Sequence, residues 1–457
     1  MEETMKLVKY KNRITDVWDY PKLSIYNNQI EKDEHYFDFL DEPNSNGDFR
    51  LYIHIPFCNS FCSYCQFYKE PYKKYENALE AYFNNVIKEL KTYAKKKFFA
   101  DSTITSIFFG GGDPSIIKYE YFELLMKTIY DNFNVCEKPS ISIEGNIKNL
   151  LDEKRLEMYK KHNISRISFG VQTFNEDIRK KLLIKPTIDE IYTIAERLKA
   201  YQFESFAFDL MYNLPNQTEK DVEEDIKKAI SLGSDYIDFY SLNLYPNTKF
   251  YKDIYENNKF EIVPTKEREL AHNRLIQKIM TEEGYKQVIS CTYSNKFETP
   301  HFGLYHYLQG GNMLGIGPSA RSFLNGHGYR NVCSVDGYSE MLQSDKLPIE
   351  TGVIISDAEQ DRRLIVLGIN LFKVKKALVE KFPDITDKMN QLIDFGYIYE
   401  DGENYCVSDE GRAWVGNMQK TMFSEEIASK DMTNFLRAVK DGRSAYNQDF
   451  MSINKFK

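Results

Sequence analysis

Tyr52-Ile53-His54-Ile55-Pro56-Phe57-Cys58-Asn59-Ser60-Phe61-Cys62-Ser63-Tyr64-Cys65-Gln66-Phe67-Tyr68 decides how the remaining chain is read. Leu51, Ile53 and Ile55 alternate along a short apolar run that reads as a strand, and Pro56 ends it. Three cysteines follow in a C-x3-C-x2-C spacing, on what must be a loop. Thiolates this close in sequence can all face one inorganic core. A cubane iron–sulfur cluster normally takes four cysteines, yet the next one along the chain is Cys136. A cubane held by Cys58, Cys62 and Cys65 leaves one iron open, and an open metal position is where chemistry happens. The alternative is a zinc site of the same cysteines with His54, the nearest histidine. Zinc knuckles favour C-x2-C pairs on two separated arms, and this loop has neither arm. Phe57, Phe61, Tyr64 and Phe67 are expected to crowd the thiolates, an apolar collar that limits solvent around a redox cluster.

The chain of 457 residues has room for one large domain and one or two small ones, and 42% hydrophobic residues support a substantial core. A formal charge of −8 argues against general nucleic-acid affinity. There is no run of about twenty apolar residues, so no membrane span is expected. Met1-Glu2-Glu3-Thr4-Met5 does not open a signal peptide. Seven cysteines, three of them clustered, make no disulfide framework, and a reducing cytoplasm is the natural setting.

Residues 1–50 are polar and mixed, an N-terminal extension expected to pack outside the main domain. A long helix is expected over 72–97. A buried strand over 104–109 then runs into Gly110-Gly111-Gly112-Asp113-Pro114. Further strands are expected over 140–144, 166–172, 203–211 and 235–244, each followed by a helical pattern. Alternating strands and helices argue for an α/β class, with a full or partial (β/α) barrel over residues 51–293. Sites in such barrels form at the carboxyl ends of the strands. The cysteine loop, the glycines, Glu144, Gln172 and Asp209 all fall at strand ends, a stronger signal together than any one of them. A helix over 265–283 and a strand over 285–293 complete this unit. Residues 294–356 lose periodicity and read as an irregular lid or connecting region. Residues 357–420 pattern as helices with a small hairpin, a winged-helix-like domain without a strong basic cluster. Residues 421–457 read as a helical tail.

Taken singly, most of these residues have ordinary explanations. Three glycines make a flexible turn, and a lone histidine is more often structural than functional. The combination, however, resembles the radical S-adenosylmethionine (SAM) superfamily. Tyr-Ile-His-Ile-Pro-Phe-Cys narrows the resemblance to the branch with oxygen-independent coproporphyrinogen III oxidases, related heme chaperones and heme-degrading anaerobilin synthases. The resemblance implies a [4Fe-4S] cluster on Cys58, Cys62 and Cys65, with SAM chelated at the open iron. It places the backbone of Gly111 and Gly112 against the SAM amino group, with Asp113 standing where the family usually has threonine. It gives Glu144, Gln172 and Asp209 to the ribose and carboxylate of SAM. Tyr52 and Tyr64 line the cluster and adenine, and His54 lies over the cluster as the catalytic candidate. Where relatives carry an arginine, this chain has Ile184 beside Lys185.

Phe67 stands at the fourth cysteine of the oxidases, which argues against that activity. Cys65-Gln66-Phe67-Tyr68, the extension, Glu144-Gly145 and Leu242-Asn243-Leu244-Tyr245-Pro246-Asn247-Thr248 resemble the anaerobilin synthases more than the chaperones. The expected function is therefore radical methylation and opening of heme, giving a linear tetrapyrrole and free iron without oxygen. The alternatives are a heme chaperone and a coproporphyrinogen III oxidase-like enzyme. The implied partners are heme or a related tetrapyrrole and an electron donor such as flavodoxin or ferredoxin. His301, His306, Cys291 and Tyr293 are candidates for a heme wall or axial ligand, although no spacing among them supports it.

Overall fold

Asp48–Ile55 (β1) buries Phe49, Leu51, Ile53 and Ile55 completely. Five more strands bury apolar residues in the same way: Thr103–Gly111 (β2), Asn134–Glu144 (β3), Arg166–Gln172 (β4), Ser205–Tyr212 (β5) and Tyr236–Ser241 (β6). These six pair in parallel, each with the next. Parallel neighbours need long crossovers, and helices supply them: Leu79–Ala94 (α1), Tyr119–Asn132 (α2), Glu153–Lys161 (α3), Ile188–Ala200 (α4) and Glu219–Ser231 (α5). Their apolar stripes close a single core against the sheet, and capping boxes at Thr187 and Thr218 start α4 and α5. The computed structural model describes residues 7–25, 35–44, 47–65, 67–244, 249–296 and 302–440. Among them no helix is long and apolar enough to cross a membrane.

The sheet continues past both ends of the parallel set. Beyond Lys266–Glu282 (α6), Lys286–Ile289 (β7) and Thr292–Ser294 (β8) form a hairpin whose second strand pairs antiparallel with β6. The single strand expected over 285–293 is thus two, because Ser290 and Cys291 reverse the chain. At the opposite edge Met313–Ile316 (β9) lies parallel to β1. Arg321–Leu324 (β10), His327–Asn331 (β11) and Ile349–Ile354 (β12) extend it antiparallel. The order is β12-β11-β10-β9-β1-β2-β3-β4-β5-β6-β8-β7. Among the described residues its two edges are not paired with each other, so the architecture is the partial barrel. Residues 313–354, read from sequence as irregular, are largely these strands and the helix Val335–Gln343. Their signal is the Asn325-Gly326 pair, both at positive φ, which turns β10 into β11.

The C-terminal unit combines Asp357–Gly368 (α9), Pro383–Asp394 (α10) and a three-stranded sheet. That sheet runs Lys373–Lys375 (β13), Asn404–Val407 (β15), Ile398–Asp401 (β14) in space. Phe302–Leu308 (α7) and Val335–Gln343 (α8) precede this unit, and Val415–Thr421 (α11) and Glu425–Lys440 (α12) follow its hairpin. Residues 441–457 of the expected tail lie outside the described residues. The N-terminal extension divides. Around Tyr36 and Leu40 it packs on the barrel side, with the Tyr36 hydroxyl donating to the Gly328 carbonyl at 2.9 Å. Residues 7–25 instead share the core of the C-terminal unit, through Leu7, Val17, Tyr20 and Leu23. Val17 exchanges two hydrogen bonds with the Gln419 side chain, at 2.7 and 2.9 Å.

Candidate functional site

The strand ends bring together what the sequence scatters. A two-residue parallel ladder, Phe57-Cys58 on Glu70-Pro71, closes the base of the cysteine loop. Lys69 crosses it, donating to the Cys65 carbonyl at 2.7 Å, and the Cys65 N–H donates to the Cys62 carbonyl at 3.3 Å. Burial pushes the Cys58 thiol up to about 12, and Asp113, Cys65 and Cys62 push the same way. Burial also raises Cys62, which feels Cys65 as well. The collar of aromatics is one-sided. Phe57 is buried and Tyr64 packs against Ile178, Leu182 and Leu214, but Phe61 and Phe67 face solvent.

His54 is buried, and desolvation brings its pKa down to about 4, so the ring is neutral at physiological pH. Its Nε2–H donates to the Tyr68 carbonyl at 3.3 Å, leaving Nδ1 to accept from the Tyr52 hydroxyl at 2.8 Å. With both nitrogens engaged, His54 is not placed as the fourth ligand of a zinc site. Gly111 lies under this ring at φ +119°, and a Cβ there would stand 2.8 Å from the His54 Cε1. The Gly112 N–H donates to the Ile55 carbonyl at 2.8 Å, and a Cβ at Gly112 would meet the Pro56 carbonyl oxygen at 2.8 Å. The glycine loop therefore lies flat on the end of β1, which no side chain would permit.

The Gly111 N–H also donates to Glu144 at 3.2 Å. Burial raises the Glu144 carboxyl to about 7, against the pull of this bond and of Arg166 and Arg50. Register sets Gly170 beside Asp209, Asp209 beside Asp238, and Asp238 beside Thr292. Burial lifts Asp209 well above the usual carboxylate range, and Asp238 and Glu144 add to it. Asp238 accepts from the Thr292 hydroxyl and pairs with Arg166 at 3.4 Å. Gln172 sits at φ +69°, where the pairing of β4 with β5 slips by a residue. Its amide folds back so closely that a Cβ on Gly170 would meet it at 2.2 Å. A bulge carrying a left-handed non-glycine residue is the kind of local strain that functional sites hold.

Residues 52–229 match the Radical SAM superfamily. The chain is 30% identical to the heme chaperone HemW of Buchnera aphidicola subsp. Schizaphis graminum over 387 residues, 81% of this chain and 97% of that protein. The chain belongs to the radical SAM superfamily. Within it the chain lies in the coproporphyrinogen III oxidase-like branch. The heme chaperone HemW of Bacillus subtilis is also 30% identical, over 80% of this chain and 96% of that protein. The anaerobilin synthase of Escherichia coli O157:H7 is 25% identical, over 81% of this chain and 83% of that protein. In fold, the radical SAM coproporphyrinogen III oxidase of Escherichia coli superposes with a TM-score of 0.74 at 19% identity, over 85% of this chain and 93% of that one.

Radical SAM proteins bind a [4Fe-4S] cluster and SAM, and the residues here fit both. Three thiols sharing one loop, with Cys65 raising both Cys58 and Cys62, are a donor set that a cationic iron core satisfies. The polar interior suits a polar ligand. Arg166 Nε is buried with no hydrogen-bond partner among the described residues, whereas Arg50 Nε and Ser106 Oγ, also without one, lie against Gly303 of α7. The Asp113 side chain, by contrast, is taken up by the protein. It accepts from the N–H groups of Ser115 and Asn146 at 3.1 Å each, from the Ser115 hydroxyl, and from the Asn149 amide at 2.8 Å. It ties the loop after β2 to the loop after β3, so only the glycine backbone beside it is available to a ligand.

Of the three described heme candidates, Cys291 alone stands at this radical SAM site. Cys291, in the β7–β8 turn, accepts at its carbonyl from Phe239 N–H at 2.8 Å and lies beside Thr292, Asp238 and Tyr240. His306 instead meets Asp48 at 3.3 Å, at the amino end of β1 and so away from the strand ends that carry the site. Tyr293 turns into the core, edge-on to Phe239 at 5.6 Å. His301 and Gln66 lie outside the described residues, as do Tyr245, Pro246 and Asn247. Sequence reading passed over Arg50, Arg166, Asp238 and Tyr240. Their signal was a charged or hydroxyl residue at alternate positions of otherwise apolar strands, the mark of a polar interior face.

Proposed function

We propose that this protein is a heme-handling radical SAM protein of the heme chaperone kind. What carries the reading is the near end-to-end match to chaperones, 96% and 97% of their lengths at 30% identity. Heme degradation, favoured by the motifs alone, thereby becomes the second reading. Cys58, Cys62 and Cys65 would hold the cluster. The Gly111-Gly112 backbone, Glu144, Gln172 and Asp209 would hold SAM, with Tyr52 and Tyr64 beside it. Cluster and SAM together, when bound, supply one-electron radical chemistry. The chain's own part is electrostatic and steric. Glu144, Asp209 and Asp238 share the interior with Arg50 and Arg166, and because burial raises all three carboxyls, a sulfonium cation bound among them would draw them towards the charged form. His54 stays neutral and, through Tyr52 and Tyr68, holds the glycine loop in place. Cys291 and Tyr240, beside one another, would be the candidate ligands for a heme iron.

The second reading, anaerobic heme opening by radical methylation, has a specific observation in its favour. Tyr68, part of the Cys-x-Phe-Tyr continuation, braces both His54 and the Val335 N–H, the latter at 3.0 Å. The test is anaerobic incubation of reconstituted protein with heme, SAM and a reductant, following the Soret band and 5′-deoxyadenosine. A shifted but lasting band, with heme passed on to an apoprotein acceptor, is expected. Loss of the band with a methylated linear tetrapyrrole establishes the second reading instead. Failure of heme to shift the band at all overturns both. Cys62→Ala is expected to remove the brown chromophore.

A further inference from the structure

The thiol-bearing loop rests on the short helix Glu176–Lys181. The Ser63 hydroxyl donates to the Leu182 carbonyl at 3.2 Å, and the Tyr64 ring packs among Ile178 and Leu182. Between those two contact residues the chain carries Arg179, 3% exposed. Its Nη1 donates to the carbonyls of Val171 and Thr173 at 2.6 and 2.8 Å, and its Nη2 to that of Pro186 at 2.5 Å. Carbonyls hold the fork but leave its charge intact. Neutral donors would meet them at a smaller desolvation cost, so a full charge buried here calls for an anionic neighbour. Burial works against the guanidinium, and Tyr64, Asp225, Glu176 and Cys62 support it. Burial likewise raises the Cys62 thiol, while a hydrogen bond with Tyr64 and the charges of Lys69 and Arg179 draw it down. Lys69 approaches from the rim. Its ammonium donates to the carbonyls of Cys65 and Phe67, at 2.7 and 3.4 Å, and lies 5.5 Å from the Phe61 ring centre. On a chain of formal charge −8, the loop therefore lies between a guanidinium locked in the core and an ammonium near solvent.

We infer that Arg179, from beneath the loop, and Lys69, from its rim, set the reduction potential of the iron–sulfur cluster held by Cys58, Cys62 and Cys65, with Arg179 having the larger share. The inference rests on the cluster assignment of the site, not on the fate of heme. Neither residue touches a substrate; each acts through the cluster. Reduction adds one electron to the cluster, taken from a low-potential one-electron reductant, and no bond is made or broken. The negative charge among the thiolates rises by one, so a fixed cation nearby favours the reduced form. Solvent screens Lys69 at the rim more than Arg179 in the core.

The test is a redox titration of reconstituted full-length protein with titanium(III) citrate, following the cluster by electron paramagnetic resonance. Iron and sulfide analysis first establishes equal cluster content. Arg179→Gln, which keeps an amide donor for the carbonyls, is expected to disfavour reduction about tenfold, a downward shift of about 59 mV. Arg179→Lys keeps the charge and loses the fork, and is expected to recover about half of that shift or more. Lys69→Gln is expected to disfavour reduction about twofold at about 0.05 M salt and to match the parent at about 0.5 M. An Arg179→Gln potential equal to the parent's overturns the inference. So does an Arg179→Lys potential as low as that of Arg179→Gln, since the fork rather than the charge then matters. Should Arg179→Gln take up no cluster, the other two variants decide. An Arg179→Lys potential lower than the parent's by about 59 mV or more, or a Lys69→Gln potential equal to the parent's at low salt, overturns the inference. Heme binding enters none of these readings, so failure of the heme reading leaves the expected potentials unchanged.

Discussion

At Gly111 two demands meet, a φ of +119° and a histidine ring 2.8 Å from where a Cβ would sit. Gly111→Ala forces the ring or the loop to move and disturbs the N–H that Glu144 accepts. It is expected to cost about 1–3 kcal/mol in thermal unfolding, with SAM affinity by equilibrium dialysis falling as well. Gly47→Ala is the control. Gly47 has φ +70° but open space around it, so strain alone acts there and the loss should be smaller. Equal losses would remove the steric part of the argument. Asp113 makes a different point, because its buried carboxylate serves four donors on two loops. Asp113→Ala should lower stability by about 1–3 kcal/mol in urea unfolding. Asp113→Thr should recover only part of that, since a hydroxyl cannot also reach the Asn149 amide. A threonine variant as stable as the parent would show the Asn149 bond to be idle.

Helix α1 carries a carboxylate into the core. Glu89 is fully buried and accepts from the Gly317 N–H at 2.9 Å, the Asn331 amide at 2.7 Å and the Tyr338 hydroxyl at 2.5 Å. It thereby staples α1 to the segment leaving β9, to β11 and to α8. Among the described residues no cation offsets its burial, which pushes the carboxyl up to about 7 from an ordinary 4.5. The folded protein keeps this proton where the unfolded chain has released it. The stabilising contribution is therefore full below about 4.5 and lost as pH rises towards about 7. Glu89→Gln is neutral throughout. Relative to the parent, its stability should improve between pH 5 and 7.5 by an amount on the order of 2 kcal/mol. Urea titrations at several pH values check this, and parallel curves for parent and variant would refute it.

Arg13 joins three parts of the protein. It donates to the Ala413 carbonyl at 2.6 Å in the C-terminal unit, and to the Tyr212 hydroxyl at the end of β5. It also lies 3.4 Å from Glu269 on α6. Burial works against its charge, but Tyr212, Asp16 and Glu269 hold the guanidinium protonated. Arg13→Ala leaves Asp16 buried without its cation and Glu269 with Lys266 alone, at 2.9 Å, at a cost of about 3–5 kcal/mol. Calorimetry should then resolve the C-terminal unit as a separate, earlier transition, with limited proteolysis cutting between it and the barrel. A single transition at the original temperature would show that the segment merely lies against the surface.

The cysteine loop, the glycine turn and the parallel βα units could be read directly, because each depends on spacing within a few residues. Three thiols on one loop meet whatever the remainder does, and alternating apolar residues bury one face of a strand wherever it lies. The short strands after residue 313 were hidden by their length, since four residues carry too little periodicity to stand out. Contacts made across the sheet were not legible at all. That Asp238 faces Arg166 and Thr292, that Cys291 reaches the site while His306 lands at the amino end of β1, and that residues 7–25 join the C-terminal core all follow from register and strand order. Those are set by how distant segments bury their apolar faces together, and a local run of residues cannot report a neighbour it meets only after the chain has closed.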